Sequence, residues 1–336
     1  MTVIDAHAHL LIPALERKVA DLPGFSEHRS LEALRNGPES MEVNAGMISE
    51  RLPRLTSLDR RLADMDRTGV DIQIVSPSPS HYHSWAEPGM AGELARIANE
   101  SIVAHCSRAP NRLHGLGLVP LQHPDLAADV LDEAMDMGLK GVEIPSHVPG
   151  MELSHPGLEI FWARAAARGA VVFLHPFGCT LNERLDRWYL SNIVGQPVEN
   201  AVALSHLIFS GVLDRYPDLK LLAAHGGGYL PTYLGRSDHG WRTRPDARGC
   251  IELPSTYLRR IWFDSLVYTP QVLRALIAAV GVDRVVMGSD HPFDMGNENP
   301  AEAVRAALSE DAELKAVLGA NAADLFTLST SPPSNL

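Results

Sequence analysis

Val3-Ile4-Asp5-Ala6-His7-Ala8-His9 opens the chain as a short β-type run that ends in two histidines one residue apart. On a strand, residues i and i+2 point to the same face. His7 and His9 therefore offer two imidazoles to one point in space, as a metal site requires. A lone His-x-His pair fits two solvated histidines equally well, so the rest of the chain must decide.

Seven further apolar runs follow, at 70–76, 113–120, 138–145, 170–176, 220–226, 261–266 and 284–290. Helical periodicity fills the gaps at 58–68, 90–108, 124–137, 156–168, 197–216, 270–280 and 300–308. Several of these stretches open with proline, which suits the first helical turn. Continuous apolar strands alternating with helices predict a parallel sheet covered by helices. Eight such units predict an α/β fold of the (β/α)8 TIM-barrel type, with a small insertion after strand one. The insertion, at about 10–56, is rich in charge and small residues, has weak periodicity, and reads as an excursion over the barrel mouth. Residues 1–328 read as a single domain and 329–336 as a disordered tail. The last helices, near 311–318 and 321–325, are expected to pack outside the barrel.

The 336 residues are 45% hydrophobic and 21% charged, enough for a large core with a solvated surface. No apolar run approaches the ~18 residues of a membrane span. No secretory leader is evident. The formal charge of −12 argues against a nucleic-acid partner, which would want a basic face. Almost all positive charge is arginine, the better bidentate partner for a carboxylate. Cys106, Cys179 and Cys250 are odd in number and far apart, which excludes a disulfide framework and fits a reducing cytoplasm.

In a TIM barrel, catalytic groups sit at the C-terminal ends of the strands. Strand one ends in His7 and His9, strand five in His175, strand six in His225 before three glycines, and strand eight in Asp290. Each alone fits a satisfied polar residue at a strand end. Five arriving at one face point to a metal site. Three neutral imidazoles and one carboxylate suit Zn²⁺ and are acceptable to Mn²⁺ or Fe²⁺. With an open position, such a metal lowers the pKa of a bound water towards ~7, and the remaining histidine can serve as general acid or base. Gly226, Gly227 and Gly228 read as room for a ligand to approach the backbone.

His7-Ala8-His9, His175, Ala224-His225-Gly226-Gly227-Gly228 and Gly288-Ser289-Asp290-His291-Pro292-Phe293 resemble the amidohydrolase superfamily. Within it they are similar to the decarboxylase branch, which includes aminocarboxymuconate-semialdehyde and γ-resorcylate decarboxylases. The resemblance implies that His7, His9, His175 and Asp290 bind one divalent metal. It implies that His225 is the catalytic acid/base, with Asp290 beside it in the catalytic set. Both histidines of the first pair are present, as in the muconate-semialdehyde type, which favours zinc over manganese. The segment 235–245 is similar to that type as well. There the arginine matching Arg236 reaches the neighbouring subunit's site and binds a substrate carboxylate, which implies a homodimer. A surface or interface ion pair is the other reading of Arg236. Arg51, or Arg54, in the insertion is the candidate for a second carboxylate-binding arginine, although 47–54 aligns only loosely. Phe177, where the muconate enzyme has tryptophan, is a further candidate substrate contact; His291 is another, or else bonds a carboxylate behind the metal site. His81 and His83 lie in the loop after strand two, which faces the site; loop solvation is the default reading and a substrate contact the alternative. His147 is a candidate hydrogen-bond partner of substrate, and Trp188 and Tyr189 are candidate caps.

The expected activity is metal-dependent, non-oxidative decarboxylation of a small unsaturated or aromatic carboxylate. Hydrolysis of a lactone or amide, or hydration, on the same site is the alternative. A metal-binding scaffold without catalysis is a third.

Overall fold

The computed structural model describes residues 1–328, and the tail expected at 329–336 lies outside them. Eight parallel strands follow one another around a closed barrel. They are β1 (Ile4–Leu10), β2 (Ile72–Pro77), β3 (Leu113–Gly115, resuming at Gly117–Leu118), β4 (Gly141–Ile144), β5 (Val171–Leu174), β6 (Lys220–Ala223), β7 (Ile261–Asp264) and β8 (Val285–Val286). Each pairs with its sequence neighbour in parallel register. Backbone bonds from Leu116 N to the Val75 carbonyl (2.9 Å) and from Lys140 N to the Gly115 carbonyl (2.9 Å) carry the sheet through β3.

The final seam joins the chain's ends. Ala6 N donates to the Met287 carbonyl (2.8 Å), Asp290 N to the His7 carbonyl (2.9 Å) and His9 N to the His291 carbonyl (2.8 Å). A buried polar network backs this seam. Asp5 accepts from Ser289 N (3.0 Å) and Gln73 Nε2 (2.8 Å), and Arg61 donates to Gln73 Oε1 (2.6 Å) and to the His9 carbonyl. Closure leaves the barrel itself without a free strand edge among the described residues, so a short β8 is sufficient.

Inside, Ile4, Ile74, Leu116, Phe173, Leu222 and Val286 fill the lower barrel. The same cluster contains Ala322, Leu325 and Phe326, so the C-terminal helix Asn321–Leu325 plugs the floor. This corrects the expectation that it packs outside the barrel. Its small and apolar residues are needed because the floor ring is itself apolar.

Of the outer helices, α1 (Pro13–Val19) and α2 (Pro23–Thr56) form the segment between β1 and α3 (Leu58–Thr68). The weak periodicity of 10–56 thus belongs to helices, kinked at Gly37, which bury few of their own side chains. They lie across the mouth of the barrel instead of docking a full apolar face on a core, so a strong amphipathic pattern is not required. The expected helix at 197–216 is two: Gln196–Phe209 and Val212–Arg215, separated at Gly211 with φ 73°. The other expected helices fall within a few residues of the observed ones.

Gly288 sits where β8 meets β1 and β7. A Cβ there would stand 2.9 Å from the Cβ atoms of both Asp264 and His7. Both neighbours are held by strand backbone, so neither yields cheaply. Gly288→Ala is expected to lower stability by about 1–3 kcal/mol, read as an earlier denaturant midpoint with an unchanged slope. An unaltered midpoint would show that the seam can relax.

Candidate metal centre and active site

β1 carries an extra residue between Asp5 and Ala8 relative to β2. Such a bulge re-aims side chains. Here His7 and His9 converge, with their Nε2 atoms 3.0 Å apart. Each ring is fixed from behind. His7 Nδ1 donates to Asp264 Oδ2 at 2.7 Å, and His9 Nδ1 lies 3.1 Å from the Pro77 carbonyl and 3.1 Å from the Ser76 hydroxyl. Bonds at Nδ1 set the tautomer and leave the Nε2 lone pairs turned towards the common point.

The ends of β5, β6 and β8 bring the other groups. Asp290 Oδ1 lies 3.4 Å from His7 Nε2 and 3.1 Å from His9 Nε2, and its Oδ2 lies 3.7 Å from His225 Nε2. Donor atoms of His7, His175, His225 and Asp290 all fall within 4.8 Å of one another. The His175 ring centroid is 5.0 Å from that of His7 and 4.9 Å from those of His9 and His225. All five polar strand ends therefore meet. His225 and Asp290 both hold left-handed backbone, with φ 53° and 58°. Such conformations are uncommon for residues with a Cβ and cluster at functional sites.

The electrostatics call for a cation at this point. Burial disfavours charge on His7, yet Asp290 and Asp264 flank it and push its pKa up to about 10. Burial would also raise the Asp290 carboxyl, but His7 and the neighbouring imidazoles hold it well below the usual carboxylate range. His175 is driven well below the ordinary imidazole value by burial and by the other histidines, so it is a neutral donor. Both His175 nitrogens and Asp290 Oδ1 are buried without a hydrogen-bond partner. Buried polar atoms are almost always satisfied, and a divalent ion would satisfy these. The residues present therefore fit a divalent metal.

Two buried carboxylates at this site were not among the expected residues. Asp264, at the end of β7, accepts from His7 Nδ1, from the backbone N–H of His225 (2.9 Å) and Gly226 (2.9 Å), and from Leu266 N (3.1 Å). Glu143 on β4 has Oε1 2.7 Å from the Tyr82 hydroxyl and Oε2 3.6 Å from His9 Nδ1. Burial raises the Glu143 carboxyl above its ordinary pKa. Both carry the signal that marked the other site residues, a polar residue in an apolar strand.

A cavity of about 280 Å³ stands over the cluster. His175, His225 and Asp290 form part of its wall, with Phe177 and Tyr189 beside them, while Met41, Met47 and Ile48 descend from α2. The expected candidate Phe177 is therefore in place. Trp188, by contrast, is 75% exposed. Arg51 is not at the cavity. Its guanidinium donates to the Pro292 carbonyl (2.6 Å) and pairs with Glu298 (3.1 Å), bolting α2 to the loop after β8. Arg54 is likewise spent on Asp64 (2.7 Å) and Glu298 (2.9 Å). The α2 arginine that does line the cavity is Arg35, held by Glu32 Oε1 at 3.0 Å and Asn182 Oδ1 at 3.4 Å. His291 turns away from the cavity to Asp64, with Nε2 3.1 Å from the carboxylate. Arg236 is exposed on the helix Gly235–Thr243, which has no buried residue in this chain.

Three further expectations need correction. The glycines after His225 leave no room for a ligand. Cβ atoms there would meet Val267 at 2.5 Å, Phe263 at 2.6 Å and the Pro197 carbonyl at 2.1 Å, so these glycines allow protein to pack on protein. His81 and His83 are not solvated but buried, and His81 Nε2 accepts from Ile12 N at 2.9 Å. His147 is fixed by Glu199 at 3.1 Å, outside the cavity wall over the metal cluster.

Known proteins resemble this chain in sequence and fold. The amidohydrolase family model matches residues 4–328. The 2-amino-3-carboxymuconate-6-semialdehyde decarboxylase of Dictyostelium discoideum is 32% identical over 330 residues, covering 97% of this chain and 91% of that protein. The 5-carboxyvanillate decarboxylase of Sphingomonas paucimobilis superposes with a TM-score of 0.83 at 25% identity, over 98% of this chain and 99% of that one. A dihydroxybenzoic acid decarboxylase of Polaromonas sp., solved with bound manganese, shares the fold, with a TM-score of 0.80 at 23% identity over 97% of each chain. A closed (β/α)8 barrel, histidines and an aspartate at its strand ends, and a family match along almost the whole described chain agree: the chain belongs to the amidohydrolase family, in the branch that holds the decarboxylases.

Proposed function

We propose that this protein is a metal-dependent, non-oxidative decarboxylase of a small unsaturated or aromatic carboxylate. The observation that carries the reading is the convergence of four imidazoles and Asp290 on the floor of a cavity whose wall also holds Arg35. His7, His9, His175 and Asp290 would hold the metal. Their nitrogen-rich set makes zinc the first choice and manganese the second. A divalent ion held there supplies Lewis acidity and fixed positive charge for substrate oxygens.

His225 moves the proton. It is the imidazole with the most access to the cavity, its side chain 14% exposed, whereas the side chains of His7 and His9 are fully buried. In the reaction the bond between carbon and carboxylate breaks and its electron pair stays on the ring or diene carbon. A proton from His225 replaces the departing CO₂, so charge and atoms balance. Asp264 fixes the His225 backbone and the His7 ring together, and so sets the distance between proton donor and metal ligands. Met41, Met47, Ile48, Phe177, Phe293 and Met295 keep much of the cavity apolar. A dry surrounding favours loss of a charged carboxylate as neutral CO₂. Arg35 takes the anchoring role first expected of Arg51, because its forked guanidinium is the one that meets this space.

The wider reading is a single barrel domain over 1–328 with 10–56 as its cap, acting as a homodimer in the cytoplasm. The exposed Arg236 would reach the neighbouring copy's site. Three free, buried cysteines suit a reducing compartment. No helix among the described residues is long and apolar enough to cross a membrane.

The test is CO₂ release by metal-quantified protein. The panel would span carboxymuconate semialdehydes and ortho-hydroxy and ortho-amino aromatic acids. Release from any member supports the reading. Silence across the panel with a full equivalent of metal bound would overturn it in favour of lactone or amide hydrolysis.

A further inference from the structure

A second chamber of about 250 Å³ adjoins the first. Gly24, His28 and Leu31 of α2 form one side, and Tyr82, Ser84 and Trp85 of the loop after β2 another. The two chambers share a partition made of Glu32, Arg35, Pro79, Ser80 and Phe177. An apolar cavity of roughly 150 Å³ accepts a benzene molecule, so each chamber has room for a ring with substituents.

The second chamber is lined by aromatic rings, those of Tyr82, His83, Trp85 and Phe177. His83, which also lines it, is buried, and neither of its ring nitrogens has a hydrogen-bond partner. The indole nitrogen of Trp85 is buried and unpaired as well. Burial pushes His83 down to about 4, so its ring is neutral and offers one donor and one acceptor. These nitrogens are enclosed within the wall, so the surface the chamber offers a ligand is the faces and edges of the rings. The rings pack on one another across the wall. Tyr82 and Phe177 stand edge to face at 6.3 Å, and His83 and Trp85 at 5.7 Å. His147, held by Glu199, closes the far edge.

Arg35 and Glu32 pair through side chains, and a ligand acceptor replacing Glu32 would leave the guanidinium paired. We propose that the ligand space continues past Phe177 and Arg35 into this second chamber, which takes the end of the substrate remote from the leaving carboxylate: a flat, ring-sized group. This rests on the decarboxylase reading for the position of the first ring, and it makes the second chamber the element that selects substrate length.

The experiment is calorimetric binding to the metal-loaded protein, without turnover as a readout. The probes are 2-hydroxybenzoate and its 4- and 5-(4-hydroxyphenyl) derivatives. At least one derivative is expected to bind about tenfold or more tightly than 2-hydroxybenzoate, as burial of a second ring requires. Leu31→Trp and Ser84→Phe, which fill the second chamber from its two sides, are expected to erase that gain and leave 2-hydroxybenzoate binding unchanged. If 2-hydroxybenzoate binds and neither derivative binds more tightly, the second chamber is not ligand space. A gain that survives both filling variants overturns the proposal equally. If 2-hydroxybenzoate and both derivatives all fail to bind, this inference is overturned, while the decarboxylase reading stands or falls on the CO₂ panel.

Discussion

His225→Ala is expected to keep its full equivalent of metal while kcat falls by about 10²- to 10⁴-fold, the usual contribution of a positioned proton donor. The reason is a division of labour among the imidazoles. His7 and His9 are buried and braced at Nδ1 by Asp264 and by the Pro77 carbonyl, so their Nε2 atoms are committed to one point. His225 stands 3.7 Å from Asp290 Oδ2 and faces the cavity, where a substrate carbon would sit. Its backbone is left-handed, so alanine carries a conformational penalty unrelated to proton transfer. His225→Asn separates the two effects, because asparagine tolerates that conformation better but moves no proton at neutral pH. Both variants should lose turnover alike, with metal content measured by elemental analysis. Full activity in either would remove His225 from the mechanism. Loss of metal in both would make it a ligand.

The site was legible in sequence because a barrel converts position along a strand into position in space. Every apolar run that ended in histidine or aspartate delivered that residue to one face, which is why His7, His9, His175, His225 and Asp290 were found without a structure. Asp264 obeys the same rule and Glu143 falls one residue short of it, and the two were missed for different reasons. Ile261-Trp262-Phe263-Asp264 continues into Ser265-Leu266, which carries the apolar run past its true end. Glu143 is followed by Ile144 and so sits inside its strand. Neither lines the cavity over the metal cluster, and each acts on a histidine from behind. The arginines were harder still. Arg51 lies opposite Pro292 and Glu298 across the closing seam, a partnership over 241 and 247 residues that no local pattern encodes. Arg35 reaches the cavity only because α2 kinks at Gly37 and crosses the barrel mouth. A helix spanning a mouth buries little of its own surface, so its sequence carries no strong periodicity from which to read which face looks inward.

Asp264→Asn should be the most damaging change among the residues that touch neither substrate nor metal. Its two oxygens accept four hydrogens: from His7 Nδ1 and His225 N on one side, and from Gly226 N and Leu266 N on the other. An amide has one acceptor oxygen and one NH₂, so whichever way it turns, one pair of buried donors meets another donor. Leaving such groups unpaired costs about 1–3 kcal/mol each, which predicts a lower melting temperature. The chemical consequence is larger. Without a carboxylate at Nδ1, His7 loses both the bond that fixes its tautomer and the charge that, with Asp290, strengthens its basicity. Partners of this kind typically account for 10- to 100-fold in metal affinity. Chelator competition on Asp264→Asn should show that loss. Saturating metal should restore only part of kcat, because the His225 backbone has lost its anchor as well. A purely structural role would lower the melting temperature and leave metal affinity at the parental value. Recovery of full kcat at saturating metal would show that Asp264 serves the metal alone and does not position the proton donor.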